Sequence, residues 1–253
     1  MPLLQQHHEL KKDMKNIAII MGGFSSEYKI SLTSGNVVYQ YLDKTKFNGY
    51  RIHIFKEKWV YVDELDAEYP IDKNDFSVTV LGNKITFEAV FNAIHGTPGE
   101  DGLMQAYFEL IRMPQTSCDY YQAALTFNKR DLLSVLKPYG IKTAISYYLN
   151  KGETINTDEI VKKVGLPCFV KPNKAGSSFG ISKVKTAAEL PIAIEMAYKE
   201  DDEVLLESFF DATEVSVGVI NSTGQVPNFP ITQIVQHMDF LDYGAKYLGK
   251  LQE

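Results

Sequence analysis

The chain has 253 residues, 45% of them hydrophobic and 23% charged, with a formal net charge of −6. That composition excludes a disordered or collagen-like polymer and suits a globular protein able to bury a core in one large or two medium domains. The acidic balance speaks against a nucleic-acid binder, which needs a basic face, and no apolar run approaches the about 18–20 residues that span a bilayer, so neither nucleic acid nor membrane is an expected partner.

Residues 1–14 are polar, with His7, His8 and the Lys11-Lys12 pair, and lack the apolar region of a secretory signal. They read as a disordered leader, and a cytoplasmic location follows. Cys118 and Cys168 are too far apart for a Cys-x-x-Cys motif and read as reduced, structural thiols. Ile17–Met21 is a continuous apolar run, as expected of a parallel strand buried on both faces. It ends at Gly22-Gly23. Ser25 and Ser26 are candidate N-caps for a helix with Ile30, Ser34, Val37, Val38 and Tyr41 on one side. Strand, glycine turn and helix open an α/β sheet, which Arg51–Phe55 continues.

Trp59–Val62, Phe76–Val80 and Ile85–Phe87 are short β-type runs, with a turn at Gly82-Asn83, and predict a small antiparallel addition to the sheet. Ala89–Ile94 is another buried strand. It leads into a glycine-rich loop from His95 to Gly102 and a helix through Ile111, so a first domain spans 15–117. Helices at about 120–126 and 129–137, a strand at Thr143–Tyr148, a helix at Asp158–Val164, strands at Pro167–Lys171 and Ile181–Lys185, a helix after the Thr186/Glu189 capping box and a strand at Val204–Glu207 predict an α+β unit over 118–206. A strand at Glu214–Ile220 begins a third part, 207–253.

The strongest local signal for chemistry is Lys171-Pro-Asn-Lys-Ala-Gly-Ser-Ser-Phe-Gly180. A strand delivers a lysine, and a loop rich in glycine and serine turns back into a second strand. Such a hairpin offers close backbone N–H groups, hydroxyls and a positive charge to a polyphosphate. It is not a Walker A loop, since no Gly-Lys-Ser/Thr ends it and no helix follows. Lys129, at a helix start, could add a second cation. Glu207 and Glu214 flank a strand crossover and could read an adenine amino group and ribose hydroxyls.

Four motifs occur in order: Gly22-Gly-Phe-Ser-Ser-Glu-Tyr-Lys-Ile-Ser31, His95-Gly-x-x-Gly-Glu-Asp-Gly102, Lys171-Pro-x-x-x-Gly-Ser-Ser-x-Gly180 and Asp242-Tyr-Gly-Ala-Lys-Tyr247. Together they resemble the D-alanine–D-alanine ligase family of ATP-grasp enzymes, over essentially everything from Met14 to Glu253. The resemblance implies a Rossmann-like N-terminal α/β domain followed by an ATP-grasp domain. It implies that ATP phosphorylates one D-alanine and the amine of a second attacks the acylphosphate, for peptidoglycan synthesis. By the same resemblance Lys129 and Lys171 meet the ATP phosphates, with Ser177 and Ser178 in the flap above them. Glu207 reads the adenine, the backbone of Ser208 and Phe210 forms its hinge, and Glu214 takes the ribose. Glu27 holds the ammonium of the first D-alanine, with His95 nearby. Lys246 and Tyr247 lie on a loop that closes over the site, and Glu27, Ser177 and Tyr247 form a catalytic hydrogen-bonded group. Tyr247, instead of phenylalanine, resembles the D-alanine-using members.

The resemblance further implies a homodimer and a magnesium requirement. The family's metal carboxylates, Glu-x-Asn motif, arginine and oxyanion glycines belong to a part that does not follow Glu253, so no metal ligand is expected in this chain. Gly244 and Leu251 depart from the family's usual residues, and His237-Met238 is atypical. The expectation is therefore an ATP-grasp domain that is truncated, and a chain inactive as it stands. Two alternatives stay open: a ligase for another amino acid, and a non-catalytic nucleotide-binding module.

Overall fold

A computed structural model describes residues 14–219 and 229–235. Residues 1–13 of the leader, Ile220, His237-Met238, Gly244, Lys246, Tyr247 and Leu251 lie outside the described residues. The chain divides into two compact units. One comprises residues up to Ile141 together with Lys174–Gly176; the other comprises Lys142–Asn173 and the residues from Ser177 onward.

The first unit is built on a seven-stranded sheet. Its strands are β1 (Lys15–Gly22), β2 (Phe47–Ile54), β3 (Trp59–Val62), β4 (Glu68–Asp72), β5 (Ser77–Val80), β6 (Asn83–Ile85) and β7 (Ala89–Asn92), in the order β6-β5-β4-β3-β2-β1-β7. β1 runs parallel to both β2 and β7, and Ala18, Ile19, Ile20 and Met21 are fully buried, which is why this strand is apolar without alternation. The antiparallel addition is one strand longer than the sequence predicts. β4 is hidden in the sequence by Pro70, which pairs with Val60 while Ile71 supplies the buried side chain. The last hairpin turns at Leu81-Gly82, with φ of 49° and 81°, and pairs Val80 with Asn83. Both central residues adopt the left-handed conformation that two-residue hairpins favour, so the predicted strand at Ile85–Phe87 shifts back to Asn83–Ile85.

Among the described residues four α-helices belong to this unit: α1 (Tyr28–Tyr41), α2 (Leu103–Leu110), α3 (Tyr120–Phe127) and α4 (Lys129–Leu136). The inward face of α1 differs from expectation. Ile30, Ser31 and Gly35 are buried, while Val37 and Tyr41 point outward. The reason is proximity: a Cβ on Gly35 would stand 2.7 Å from the Cβ of Met21, so the helix lies against β1 through its small residues. Asn128 caps α4, its side chain accepting from the Asp131 N–H, and Asp119 caps α3 likewise through Gln122.

The second unit carries β8 (Ser146–Asn150), α5 (Thr157–Val164), β9 (Cys168–Pro172), β10 (Ser182–Val184), α6 (Leu190–Ala197) and β11 (Glu203–Ser208), with the sheet order β10-β9-β11-β8. All its pairings are antiparallel. Alternate residues of β9 and β11, Cys168, Val170, Val204 and Leu206, join Ile160, Val164, Leu190 and Ile194 from the two helices in one core. The other face of these strands carries Phe169, Lys171, Leu205 and Glu207. The predicted strand at Thr143–Tyr148 begins at Ser146, because pairing with β11 starts at the Ser146–Glu207 register. A short ribbon of β12 (Val215–Val217) and β13 (Ile231–Gln233) follows. Thr186 and Glu189 meet through their side chains, but Glu189 accepts from the Lys185 N–H and a 3-10 turn precedes α6, so the capping box is only partly formed. No helix among the described residues is long and apolar enough to cross a membrane.

Candidate functional site

Strand order reverses at β1, where β2 pairs on one side and β7 on the other. In open parallel sheets the carboxyl ends of such strands form a crevice for ligands. Gly22 ends β1 with φ of +98°, and a Cβ there would meet the Ile54 carbonyl at 3.0 Å. Ser31 fixes this end: its buried hydroxyl accepts from the Gly22 N–H at 3.0 Å and donates to the Ala93 carbonyl at 2.9 Å, tying β1, α1 and the end of β7 together.

Glu27 occupies the residue before α1 and is only 3% exposed. Ser25 rather than a cap at the helix start organises this turn. Its hydroxyl accepts from the Glu27 N–H and donates to the His95 carbonyl, both at 3.2 Å. His95 Nε2 lies 3.0 Å from the Ser34 hydroxyl on α1. The two residues expected around an amino-acid ammonium are therefore brought to one place by the β1 and β7 turns. The Glu100 carboxylate accepts from the Gly96 N–H at 2.7 Å. Burial pushes its pKa up from the ordinary value, the Gly96 N–H opposes that, and the negative charge of Glu27 adds to it.

The second unit offers a different surface. On the face of its sheet turned from the core, Lys171 of β9 bonds Glu207 of β11 at 2.6 Å, with the lysine side chain 25% and the glutamate 12% exposed. The pairing is diagonal, since Lys171 stands opposite Leu205 and Glu207 opposite Phe169. Phe169 lies beneath the Lys171 ammonium, Phe209 packs at 6.1 Å from Phe169, and the Lys183 ammonium sits 4.2 Å from the Phe209 ring centroid. Two cations, two aromatic faces and a carboxylate suit a flat ring that bears amino groups and an anionic tail.

Sequence reasoning missed Lys183, Phe169 and Phe209 at this surface. Their signal was alternation: Phe169 and Lys171 share a face of β9, and Lys183 pairs with Phe169 across the hairpin.

The other expected residues fall as follows. Lys129 starts α4 and donates to the Ala175 carbonyl at 2.6 Å. β9 and β10 form the predicted hairpin, and Ser177 and Ser178 in its turn take φ of 50° and 63°. Ser208 bonds residue 145 twice, its N–H to the Ile145 carbonyl and its hydroxyl to the Ile145 N–H. Phe210 is exposed, and the Glu214 carbonyl accepts from the Ile234 N–H beside the β12–β13 ribbon. Two cavities of about 310 Å³ flank α3; neither is lined by Glu27, Lys171 or Glu207. Among the described residues no group of three or more His, Cys, Asp or Glu could hold a metal ion.

A mixed α/β unit with a buried carboxylate at its switch point, followed by an α+β unit whose hairpin lysine meets a carboxylate, has the fold of the ATP-grasp ligases among solved structures. Residues 16–118 match the sequence profile of the D-ala D-ala ligase N-terminus and residues 135–253 that of the D-ala D-ala ligase C-terminus. The D-alanine–D-alanine ligase of Flavobacterium johnsoniae is 82% identical over 240 residues, which are 95% of this chain and 74% of that protein. Among solved structures, D-alanyl-alanine synthetase A from Vibrio cholerae superposes with a TM-score of 0.79 at 27% identity, covering 90% of this chain and 68% of that one. The VanG D-Ala:D-Ser ligase of Enterococcus faecalis superposes at 0.75 with 30% identity, covering 92% and 74%. The chain belongs to the D-alanine–D-alanine ligase family.

Proposed function

We propose that this polypeptide serves the ATP-dependent joining of two D-alanines for peptidoglycan synthesis, in the cytoplasm. The observation that carries the nucleotide half of the reading is the face of β9 and β11, where Lys171, Lys183, Phe169, Phe209 and Glu207 converge. Family membership supports the amino-acid half.

A carboxylate is a poor electrophile. Transfer of the ATP γ-phosphoryl group forms a bond from a carboxylate oxygen to phosphorus, releases ADP and leaves an acylphosphate. The amine of the second D-alanine then attacks the carbonyl carbon, and the tetrahedral adduct expels phosphate and loses a proton. Such steps depend on positioning and on cations around the transferring group. Lys129 and Lys171 are proposed for the phosphates, under the backbone and hydroxyls of Ser177 and Ser178. Glu207 would accept from the adenine amino group, with Ser208 and Phe210 at the hinge and Glu214 at the ribose. Glu27 would hold the ammonium of the first D-alanine beside His95. Lys246 and Tyr247 would close the site against water, Tyr247 joining Glu27 and Ser177 as the catalytic group. Magnesium, when bound, would neutralise phosphate charge; its ligands are not assigned to any residue here.

The same reading divides the chain at 15–117, 118–206 and 207–253 and takes the assembly to be a homodimer. The test is phosphate release from the purified 253-residue chain with ATP and D-alanine, against other amino acids, alongside calorimetric binding of ADP. D-alanine-dependent release would support the ligase reading and overturn the expectation of an inactive chain; ADP should bind in either case, and the Lys171→Met variant should bind it at least about tenfold more weakly, the loss of a charged hydrogen bond. Release with a different amino acid alone would replace the substrate. ADP binding with no turnover would favour a nucleotide-binding module.

A further inference from the structure

We infer that Gly96 and Gly176 are positioning residues for the Glu27 carboxylate, each presenting bare backbone to it, so that any larger side chain at either place displaces the carboxylate from the ammonium site. The inference rests on the reading of Glu27 as the group that holds the amino acid's ammonium. A Cβ on Gly176 would stand 2.9 Å from Glu27 Oε1, 3.1 Å from Oε2 and 3.3 Å from the carboxyl carbon. A Cβ on Gly96 would stand 2.8 Å from Oε2 and 2.5 Å from the Ser25 hydroxyl that anchors the same turn. These distances are below van der Waals contact, so a side chain at Gly176 would overlap both carboxylate oxygens and one at Gly96 would overlap Oε2. The two bare backbones therefore leave open the one placement the carboxylate takes.

The two glycines differ in a way that makes one of them a clean probe. Gly96 has φ of +72°, so alanine there would strain the backbone as well as crowd Glu27. Gly176 is not among the residues with positive φ, so its backbone admits alanine and the obstacle is the carboxylate alone. That obstacle is the far end of a flexible side chain and can move at little cost to folding. Gly176→Ala should therefore shift the carboxylate and spare stability. Glu27→Asp withdraws the carboxylate by one methylene and should make room for the added methyl.

The experiment uses the whole chain and its Gly176→Ala, Glu27→Asp, double and Glu27→Gln variants. Crystal structures read the position of the carboxylate, and calorimetry with ADP present reads D-alanine affinity. In Gly176→Ala the carboxylate should move, the thermal midpoint should hold, and D-alanine should bind about tenfold more weakly or worse, the loss of a charged hydrogen bond. In the Glu27→Asp background the same substitution should cost little. An intact Gly176→Ala fold with an unmoved carboxylate, or an equal loss in both backgrounds, overturns the inference. Undiminished D-alanine binding by Glu27→Gln would instead overturn the role given to Glu27, a different failure, since the displacement in the crystal structure is read without any ligand.

Discussion

Gly35→Ala isolates the contact that seats α1 on β1. The added methyl would stand 2.7 Å from both the Cβ and Cε of Met21 and 3.0 Å from its sulfur. The thioether end can rotate away, but the Cβ of Met21 is fixed to a strand paired on both sides. Overpacking of this kind costs about 1–3 kcal/mol, and an immovable partner puts the value in the upper half of that range. Alanine in place of glycine within a helix returns about 1 kcal/mol. The net is a destabilisation of about 1–2 kcal/mol. For a unit of this size the thermal midpoint should fall by about 3–6 °C. The assay is thermal unfolding followed by near-ultraviolet circular dichroism, with the midpoint of the first unit as the readout. An unchanged or raised midpoint would show that helix propensity governs this position and that the close approach of α1 to β1 carries no weight.

Ser31→Ala should be worse. It leaves the Gly22 N–H and the Ala93 carbonyl without their side-chain partner in a place with no solvent access, at about 2–3 kcal/mol; hydrogen exchange at the Gly22 amide should accelerate, and unaltered exchange would contradict the role given to Ser31. Glu100→Gln tests the raised pKa of Glu100. A raised folded value means that the folded protein holds this proton more tightly than the unfolded chain. Its contribution is therefore complete below the ordinary value of 4.5 and is lost as pH rises through the folded value. Glutamine cannot ionise and keeps an acceptor for the Gly96 N–H. The midpoint of the variant minus that of the parent should grow from about pH 4 to pH 7, and grow less when Glu27→Gln is also present; parallel curves would refute it.

The order of elements was legible because two patterns are plain in the sequence: the unbroken apolar run of β1 and the lysine–glycine–serine hairpin of β9 and β10. What stayed hidden depends on distances between elements. The inward face of α1 looked apolar at Val37 and Tyr41, yet the helix lies so close to β1 that only Gly35, Ser31 and Ile30 fit beneath it. β4 was masked because Pro70 sits in it, yet Pro70 pairs only with Val60 of β3, and pairing with β5 begins at Ile71, so the proline has a strand on one side alone. At the candidate sites, Glu27, His95 and Lys171 could be named from motifs, and Glu207 from its place at a strand crossover. Phe169, Phe209 and Lys183 could not, since nothing local marks a phenylalanine as the floor under a lysine until the register of β9 with β10 and β11 is known.

The hairpin has a consequence for dissection. Lys174–Gly176 count with the first unit although the strands on either side count with the second, and Lys129 holds Ala175 by its carbonyl. The chain is stitched where a sequence diagram would show beads on a string. Expressing residues up to Ile141 alone would strip Lys129 of this acceptor and uncover the Glu27 carboxylate. Expressing the remainder alone would carry a hairpin whose tip has lost its footing.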